Sequence, residues 1–81
     1  MIDVDKAIDV FTKNHPDRTI TRAAVYDNRL FVFEALEDPR APDYNNPYFA
    51  IDANTGEEVT FSPLLDLMKF HSAFRDHQIT F

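Results

Sequence analysis

A segment from Tyr48 to Phe61 surrounds the only glycine of the chain, Gly56, and constrains the fold more than any other part of the sequence. The residues at alternate positions beside the turn are apolar, namely Phe49, Ile51, Val59 and Phe61. An alternation with a period of two is typical of half-buried β-strands, and glycine adopts the positive φ of a tight turn at little cost. The segment is therefore predicted to form a β-hairpin with Gly56 in the left-handed conformation.

A second hairpin is predicted upstream, with strands from Thr19 to Tyr26 and from Arg29 to Leu36. The pair Asp27-Asn28 separates them, and these two residue types tolerate the positive φ of a hairpin turn. The second strand carries apolar side chains on both faces, which favours a central position in the sheet. We expect Glu34 on this strand to face a polar neighbour or the rim.

An amphipathic helix is predicted near the N-terminus. Its apolar residues recur at the i, i+3, i+4 and i+7 spacing of one helical face, namely Val4, Ala7, Ile8 and Phe11. Asp3 is a suitable N-cap residue, and Pro16 ends the helix.

A second helix is predicted from Pro63 to about Arg75, because Ser62 supplies an N-cap and proline is favoured at the first helical position. The residues predicted to form its apolar stripe are Leu64, Leu67, Met68, His71 and Phe74. His71 is expected to be packed or to lie at the rim, with Asp66 as a candidate partner. The segment Gln78 to Phe81 either adds a short strand or frays.

Together these elements predict a single domain over residues 1–81 in the order α-β-β-β-β-α. Tight hairpins imply an antiparallel sheet, so the class is α+β. Both helices are expected to pack on one face of that sheet.

The loop between the two hairpins, from Glu37 to Pro47, holds three of the five prolines and little that would enter a core. Long loops in small domains often carry function, so the segment from Asp38 to Pro47, the loop surface, is the predicted partner-binding site. The residues proposed to contact the partner are Asp38, Arg40, Asp43, Tyr44, Asn45 and Asn46. Tyr44 is either a binding anchor or a cap that folds back on the sheet edge.

Composition excludes several kinds of chemistry. The chain has no cysteine, which excludes disulfides and thiolate ligands, and one glycine cannot build a Walker loop or a dinucleotide fingerprint. The three histidines lack metal-ligand spacing. The segment from Asp52 to Glu58 superficially suggests a calcium loop, but its glycine stands fifth instead of sixth, which favours a hairpin turn. We therefore expect no metal, no cofactor and no enzymatic activity.

The net charge of −6 argues against binding to a nucleic-acid backbone or to an anionic membrane, because both require clustered basic residues. The absence of cysteine indicates a reducing compartment. Aspartates near the N-terminus stand where a secretory signal would be basic and then apolar. The predicted location is the cytoplasm.

The segment YFAIDANTGEEVTFSP and the helix after it resemble the last strands of PepSY-type domains and of small immunity-protein-like domains. In those domains an aromatic strand, a D-x-x-T-G-E turn and another strand follow an N-terminal helix. The whole chain is also similar to short proteins encoded by phages and prophages. The resemblance covers about half the chain and implies binding or inhibition, and it transfers no catalytic residue. Unlike PepSY-like domains, which are typically exported or membrane-attached, this chain shows no signal and has its own capped helix after the hairpin.

The leading hypothesis is a non-enzymatic module that binds another protein, as a phage-related or immunity-type accessory protein or inhibitor. The first alternative is a structural component, for example of a virion, that self-associates as a homodimer through an exposed sheet edge or the tail Ile79 to Phe81. The second alternative is an acidic mimic of nucleic acid that blocks a basic groove.

Overall fold

The computed structural model describes residues 2–38, 40 and 47–79, with Leu65 described by its backbone only. The elements in chain order are α1 (Val4–Asn14), β1 (Thr19–Tyr26), β2 (Leu30–Leu36), β3 (Tyr48–Asp52), β4 (Glu58–Val59), a 3₁₀ turn (Pro63–Leu65), α2 (Leu67–Asp76) and β5 (Gln78–Ile79).

Five strands form one antiparallel sheet in the described part of the chain, in the order β4-β3-β2-β1-β5. The predicted α+β class, the antiparallel sheet and the order α-β-β-β-β-α are confirmed. The central position of β2 is also confirmed. The segment after α2 adds a short fifth strand, in which Ile79 pairs with Ala23 at the free edge of β1.

The two helices pack on opposite faces of the sheet, so the prediction that both cover one face is wrong. Phe11 of α1 packs in a cluster with Phe31 and Phe33, whereas Phe74 of α2 packs in a second cluster with Val32. Successive residues of a strand point to opposite faces. Strand β2 has apolar side chains on both faces of the sheet. Each face must therefore be shielded from solvent, and one helix packs on each face.

Both predicted turns are confirmed by the backbone conformation. Asp27 and Asn28 have φ of 55° and 52°, and Gly56 has φ of 74°. A Cβ added at Gly56 would lie 3.6 Å from a methyl carbon of Ile2, an ordinary contact distance. The need for glycine at this position therefore comes from the backbone conformation and not from lack of space.

Helix α1 has the predicted start and end. The side chain of Asp3 accepts a hydrogen bond from the backbone N–H of Lys6 at 2.9 Å. The backbone N–H of His15 donates to the carbonyl of Phe11 at 2.8 Å and closes the last turn.

Helix α2 begins four residues later than predicted. Ser62 caps only the 3₁₀ turn, by accepting a hydrogen bond from the N–H of Leu64 at 3.3 Å. Asp66 has an extended backbone that separates this turn from the helix, and its side chain caps α2 by accepting from the N–H of Lys69 at 3.1 Å. Asp66 is thus occupied as an N-cap instead of being paired with His71.

The predicted apolar stripe of the second helix is wrong for most of its members. The buried residues of α2 are Phe70, Ala73 and Phe74. Leu64, Leu67 and Met68 are the large apolar side chains that the described structure leaves exposed, and His71 is exposed as well. Phe70 and Phe74 are one turn apart and set the buried face, and Met68 points away because a helix has 3.6 residues per turn.

In the described part of the chain, neither helix has the length and apolar character needed to cross a lipid bilayer.

Candidate functional site

The predicted partner-binding loop is described only in part. Asp38 and Arg40 lie within the described residues, whereas Asp43, Tyr44, Asn45 and Asn46 lie outside them. The Asp38 carboxylate accepts a hydrogen bond from the backbone N–H of Arg40 at 2.9 Å. The Arg40 side chain is 92% exposed, with its Nε 3.6 Å from the same carboxylate. This end of the loop therefore presents a cation to solvent.

Hydrogen bonds hold the base of the loop to the sheet. The backbone N–H of Ala35 donates to the carbonyl of Pro47 at 2.9 Å, which joins the strands on either side of the loop. Arg18 donates to the carbonyl of Ala35 at 2.9 Å and to the carboxylate of Glu37 at 3.4 Å. Its guanidinium also lies 4.9 Å from the ring centre of Phe49. These contacts fix where the loop begins and ends.

Polar side chains meet on the α2 face of the sheet, near the same end. Arg22, Glu34 and Tyr48 are adjacent across three neighbouring strands. One Glu34 oxygen, Oε2, accepts from the guanidinium of Arg22 at 2.7 Å and from the hydroxyl of Tyr48 at 2.8 Å. The other, Oε1, accepts from the hydroxyl of Thr21 at 2.7 Å. Both carboxylate oxygens are thus engaged.

This polar cluster strongly favours ionised Glu34. The hydrogen bond from Arg22 is the largest cause, and together with those from Thr21 and Tyr48 it lowers the pKa of Glu34 to about 2. Burial, and then the hydrogen bond to Glu34, raises the pKa of Tyr48. A carboxylate with so low a pKa is a weak base, so the arrangement suits an internal ion pair better than proton transfer. The expectation that Glu34 faces a polar neighbour is confirmed.

Nothing in the sequence identifies Arg22 and Tyr48 as the partners of Glu34. Their pairing depends on the register of three strands, and that register shifts between Ile20 and Arg22. An extra residue in one strand reverses which face the following side chains occupy. The alternation in the sequence alone gives no sign of that shift.

His15 joins the end of α1 to the β4 edge. Its Nε2 lies 2.8 and 3.0 Å from the two carboxylate oxygens of Glu58. The imidazole packs against the rings of Phe11 and Phe49, with centroids 5.0 and 4.6 Å away. His15 is therefore placed as a structural link between helix and sheet.

The Asp52 carboxylate is used within its own turn. It accepts hydrogen bonds from the backbone N–H groups of Asn54 and Thr55 at 2.7 and 3.2 Å. This is the Asx geometry of a hairpin turn, which confirms the turn interpretation. Among the described residues, no group of three or more His, Asp or Glu side chains could hold a metal ion.

The exposed apolar side chains before and at the start of α2 form the strongest surface feature of the described structure. Leu64 is 79% exposed, Leu67 49% and Met68 85%, and we call these three residues the apolar patch. A shallow groove of about 470 Å³ lies next to it on the outer side of α2, lined by Met68, Lys69, His71, Ser72 and Arg75. The signal in the sequence was Asp66, a second N-cap residue just before Leu67.

Comparisons of this chain with protein-family models, with curated proteins and with solved structures found no match.

Proposed function

We propose that this chain is a non-enzymatic protein-binding module that contacts its partner through the apolar patch, with the loop surface from Asp38 to Pro47 as a second contact. The observation that carries the proposal is the exposure of Leu64 and Met68, at 79% and 85%. Leu64, Leu67 and Met68 lie within five consecutive residues, and exposed apolar side chains grouped in this way are typical of protein interaction sites.

The packing of the domain supports this assignment. Phe61, Phe70 and Phe74 are all at least 91% buried, so the domain does bury its large apolar side chains where the fold provides a core. Leu64 and Met68 lie two or three positions from one of these residues in sequence and yet remain in solvent. Their exposure costs roughly 1.5 to 3 kcal/mol each relative to burial, which contact with a partner would recover.

The loop surface supports a second contact through its exposed charge. Arg40 and Asp38 project from a loop whose two ends are fixed by hydrogen bonds. A loop held at its base presents its side chains to a partner with less loss of conformational entropy.

The biological setting is proposed from the sequence. The resemblance to PepSY-like, immunity-type and phage-encoded domains favours an accessory or inhibitor role. The absence of cysteine favours the cytoplasm.

Affinity capture from the native host tests the proposal. The bait proteins are the wild type, Met68→Glu, a variant in which residues 39–46 are replaced by a short Gly/Ser linker, and Thr12→Glu. Thr12 is exposed on α1, on the other side of the sheet, and its substitution adds the same charge as Met68→Glu. We expect Thr12→Glu to retain the partner, Met68→Glu to lose it and the loop variant to bind more weakly.

Two results would reject the proposal. If the wild type captures nothing beyond what an unrelated acidic domain captures, and does not associate with itself, protein binding is wrong. If all four baits recover the same partner equally, binding occurs but neither proposed surface mediates it.

A further inference from the structure

We propose that the partner of the apolar patch is a second copy of this chain, so that two molecules pair through α2. This inference rests on the proposed function, because it names the partner of the same surface. The distribution of charge and the shape of the outer side of α2 both favour a second copy.

The net negative charge of the chain lies outside the segment that carries the patch. Residues 62–79 contain two basic and two acidic residues, whereas the whole chain contains eight basic and 14 acidic residues, so the entire net charge of −6 lies elsewhere. Two copies repel each other at most of their surfaces. They meet at the lowest electrostatic cost through the neutral segment.

The fold keeps the acidic α1 helices of the two copies apart in such a pair, and on the α2 side the Asp27 carboxylate lies 3.8 Å from the ammonium group of Lys69. Helix α1, with Asp5 and Asp9 exposed, packs on the face of the sheet opposite to α2. Contact through α2 therefore leaves both α1 helices on the outer sides of the dimer. A strongly basic partner would instead be attracted to those outer sides and not to the neutral patch.

The outer side of α2 offers both a projection and a recess. Leu64, in the turn before α2, and Met68, in its first turn, are exposed, and the shallow groove continues along Met68, Ser72 and Arg75 toward the end of the helix. In an antiparallel pair, the start of one helix lies beside the end of the other. The apolar side chains of each copy then enter the groove of its partner, which is the reciprocal contact required by a two-fold axis.

The antiparallel arrangement places no like charges against each other at the helix ends. The carboxylate of Asp66 begins α2, and in the last turn Arg75 pairs with Asp76 at 2.9 Å, so that end carries no net charge to repel Asp66 of the other copy. The two helix dipoles oppose each other as well. A helix of this length buries less surface than the roughly 1,600 Å² of a standard interface, so the dimer is expected to dissociate at roughly micromolar to millimolar concentration.

Sedimentation velocity over about 5 µM to 1 mM protein tests this inference, a range chosen to cover such a weak interface. We expect the sedimentation coefficient of the wild type to increase from that of a monomer toward that of a dimer. The Met68→Glu variant should dimerise at least about tenfold more weakly, because it places a charge in the contact. The Thr12→Glu variant should match the wild type within about twofold, since it adds the same charge on the other face.

An uncharged second variant, Leu64→Gln, guards against misfolding of Met68→Glu, and circular dichroism checks the fold of each. A wild type that remains monomeric at all concentrations would overturn the inference. A dimer that persists in both Met68→Glu and Leu64→Gln would also overturn the inference. If that dimer is then lost in the Gln78→Pro variant, the contact is assigned to the β5 edge.

The outcomes separate this inference from the proposed function. A monomeric wild type that captures a host protein, with capture lost in Met68→Glu, rejects self-association and retains the protein-binding proposal. A dimer disrupted by Met68→Glu supports both. A monomer that captures nothing rejects both.

Discussion

The Glu34 carboxylate couples ionisation to folding at the scale of a single residue. Its pKa falls from an ordinary value of 4.5 to about 2 in the folded state, mainly because Arg22 donates a hydrogen bond to it. A lowered folded-state pKa stabilises the protein fully above the unfolded-state value. This contribution is lost as the pH falls from about 4.5 toward 2.

Substitution Glu34→Gln tests this coupling. We expect it to lower the free energy of unfolding by about 1 to 2 kcal/mol at pH 7, which is less than the full pKa shift implies because solvent screens the partly exposed Arg22. The difference between the two proteins should shrink as the pH falls from 4.5 toward 2. Urea unfolding at several pH values measures it.

The matched control for Glu34 is Glu37→Gln. Glu37 also pairs with an arginine, at 3.4 Å, but its side chain is 75% exposed. Its substitution should change the free energy of unfolding by less than about 0.5 kcal/mol. An equal effect at both positions would show that the Glu34 cluster adds no more than a surface ion pair.

The identity of Gly56 is set by its backbone conformation. We expect Gly56→Val to destabilise the fold by about 1 to 3 kcal/mol, because valine at a φ of 74° is strained. Gly56→Asn should cost less, since asparagine tolerates the left-handed region. Thermal unfolding measures both, and equal losses would indicate that space, not φ, is limiting.

At the scale of elements, the parts that local chemistry determines were predictable from the sequence. The cap at Asp3, the Asp27-Asn28 turn and the Gly56 turn each depend on residues close in sequence, and all three are confirmed. The start of α2 was not predictable, because Ser62 and Asp66 are both suitable N-cap residues and lie four residues apart. Which of them caps the α-helix depends on how the aromatic residues of α2 reach the sheet.

The start of α2 is tested by removing each cap. Asp66→Ala should lower the free energy of unfolding by about 1 kcal/mol, because it leaves the first turn of the helix uncapped. Ser62→Ala should lower the free energy of unfolding by less, since Ser62 caps only the 3₁₀ turn. Urea unfolding and helical circular dichroism measure the two effects. The opposite order would place the start of the helix at Pro63.

At the scale of the whole molecule, long-range arrangement limited what the sequence could predict. The apolar pattern predicted the sheet and both helices, but the side of the sheet that each helix covers depends on chain connections and not on the pattern. Of the two proposed contact surfaces, the loop that contains Asp38 and Arg40 could be predicted from its length and its proline content. The apolar patch could not be predicted, because leucine and methionine at positions 64 and 68 are equally typical of a buried helix face.

The opposite placement of the helices predicts that the two cores contribute independently to stability. Phe11 lies in the apolar cluster between α1 and the sheet, and Phe74 lies in the cluster between α2 and the sheet. The sheet separates the two clusters. Substituting leucine at either position should lower the free energy of unfolding by about 1 to 2 kcal/mol. The double variant should equal the sum of the single variants within about 0.5 kcal/mol.

A second cycle within one core provides the comparison. Phe70 and Phe74 lie in the same cluster with ring centroids 5.1 Å apart. Leucine at both positions should therefore deviate from additivity by more than about 0.5 kcal/mol, because neighbours share one packing environment. Urea unfolding of the single and double variants supplies both cycles. Strong coupling between positions 11 and 74, as large as that between 70 and 74, would mean that the two helices share one core and that the sheet does not separate them.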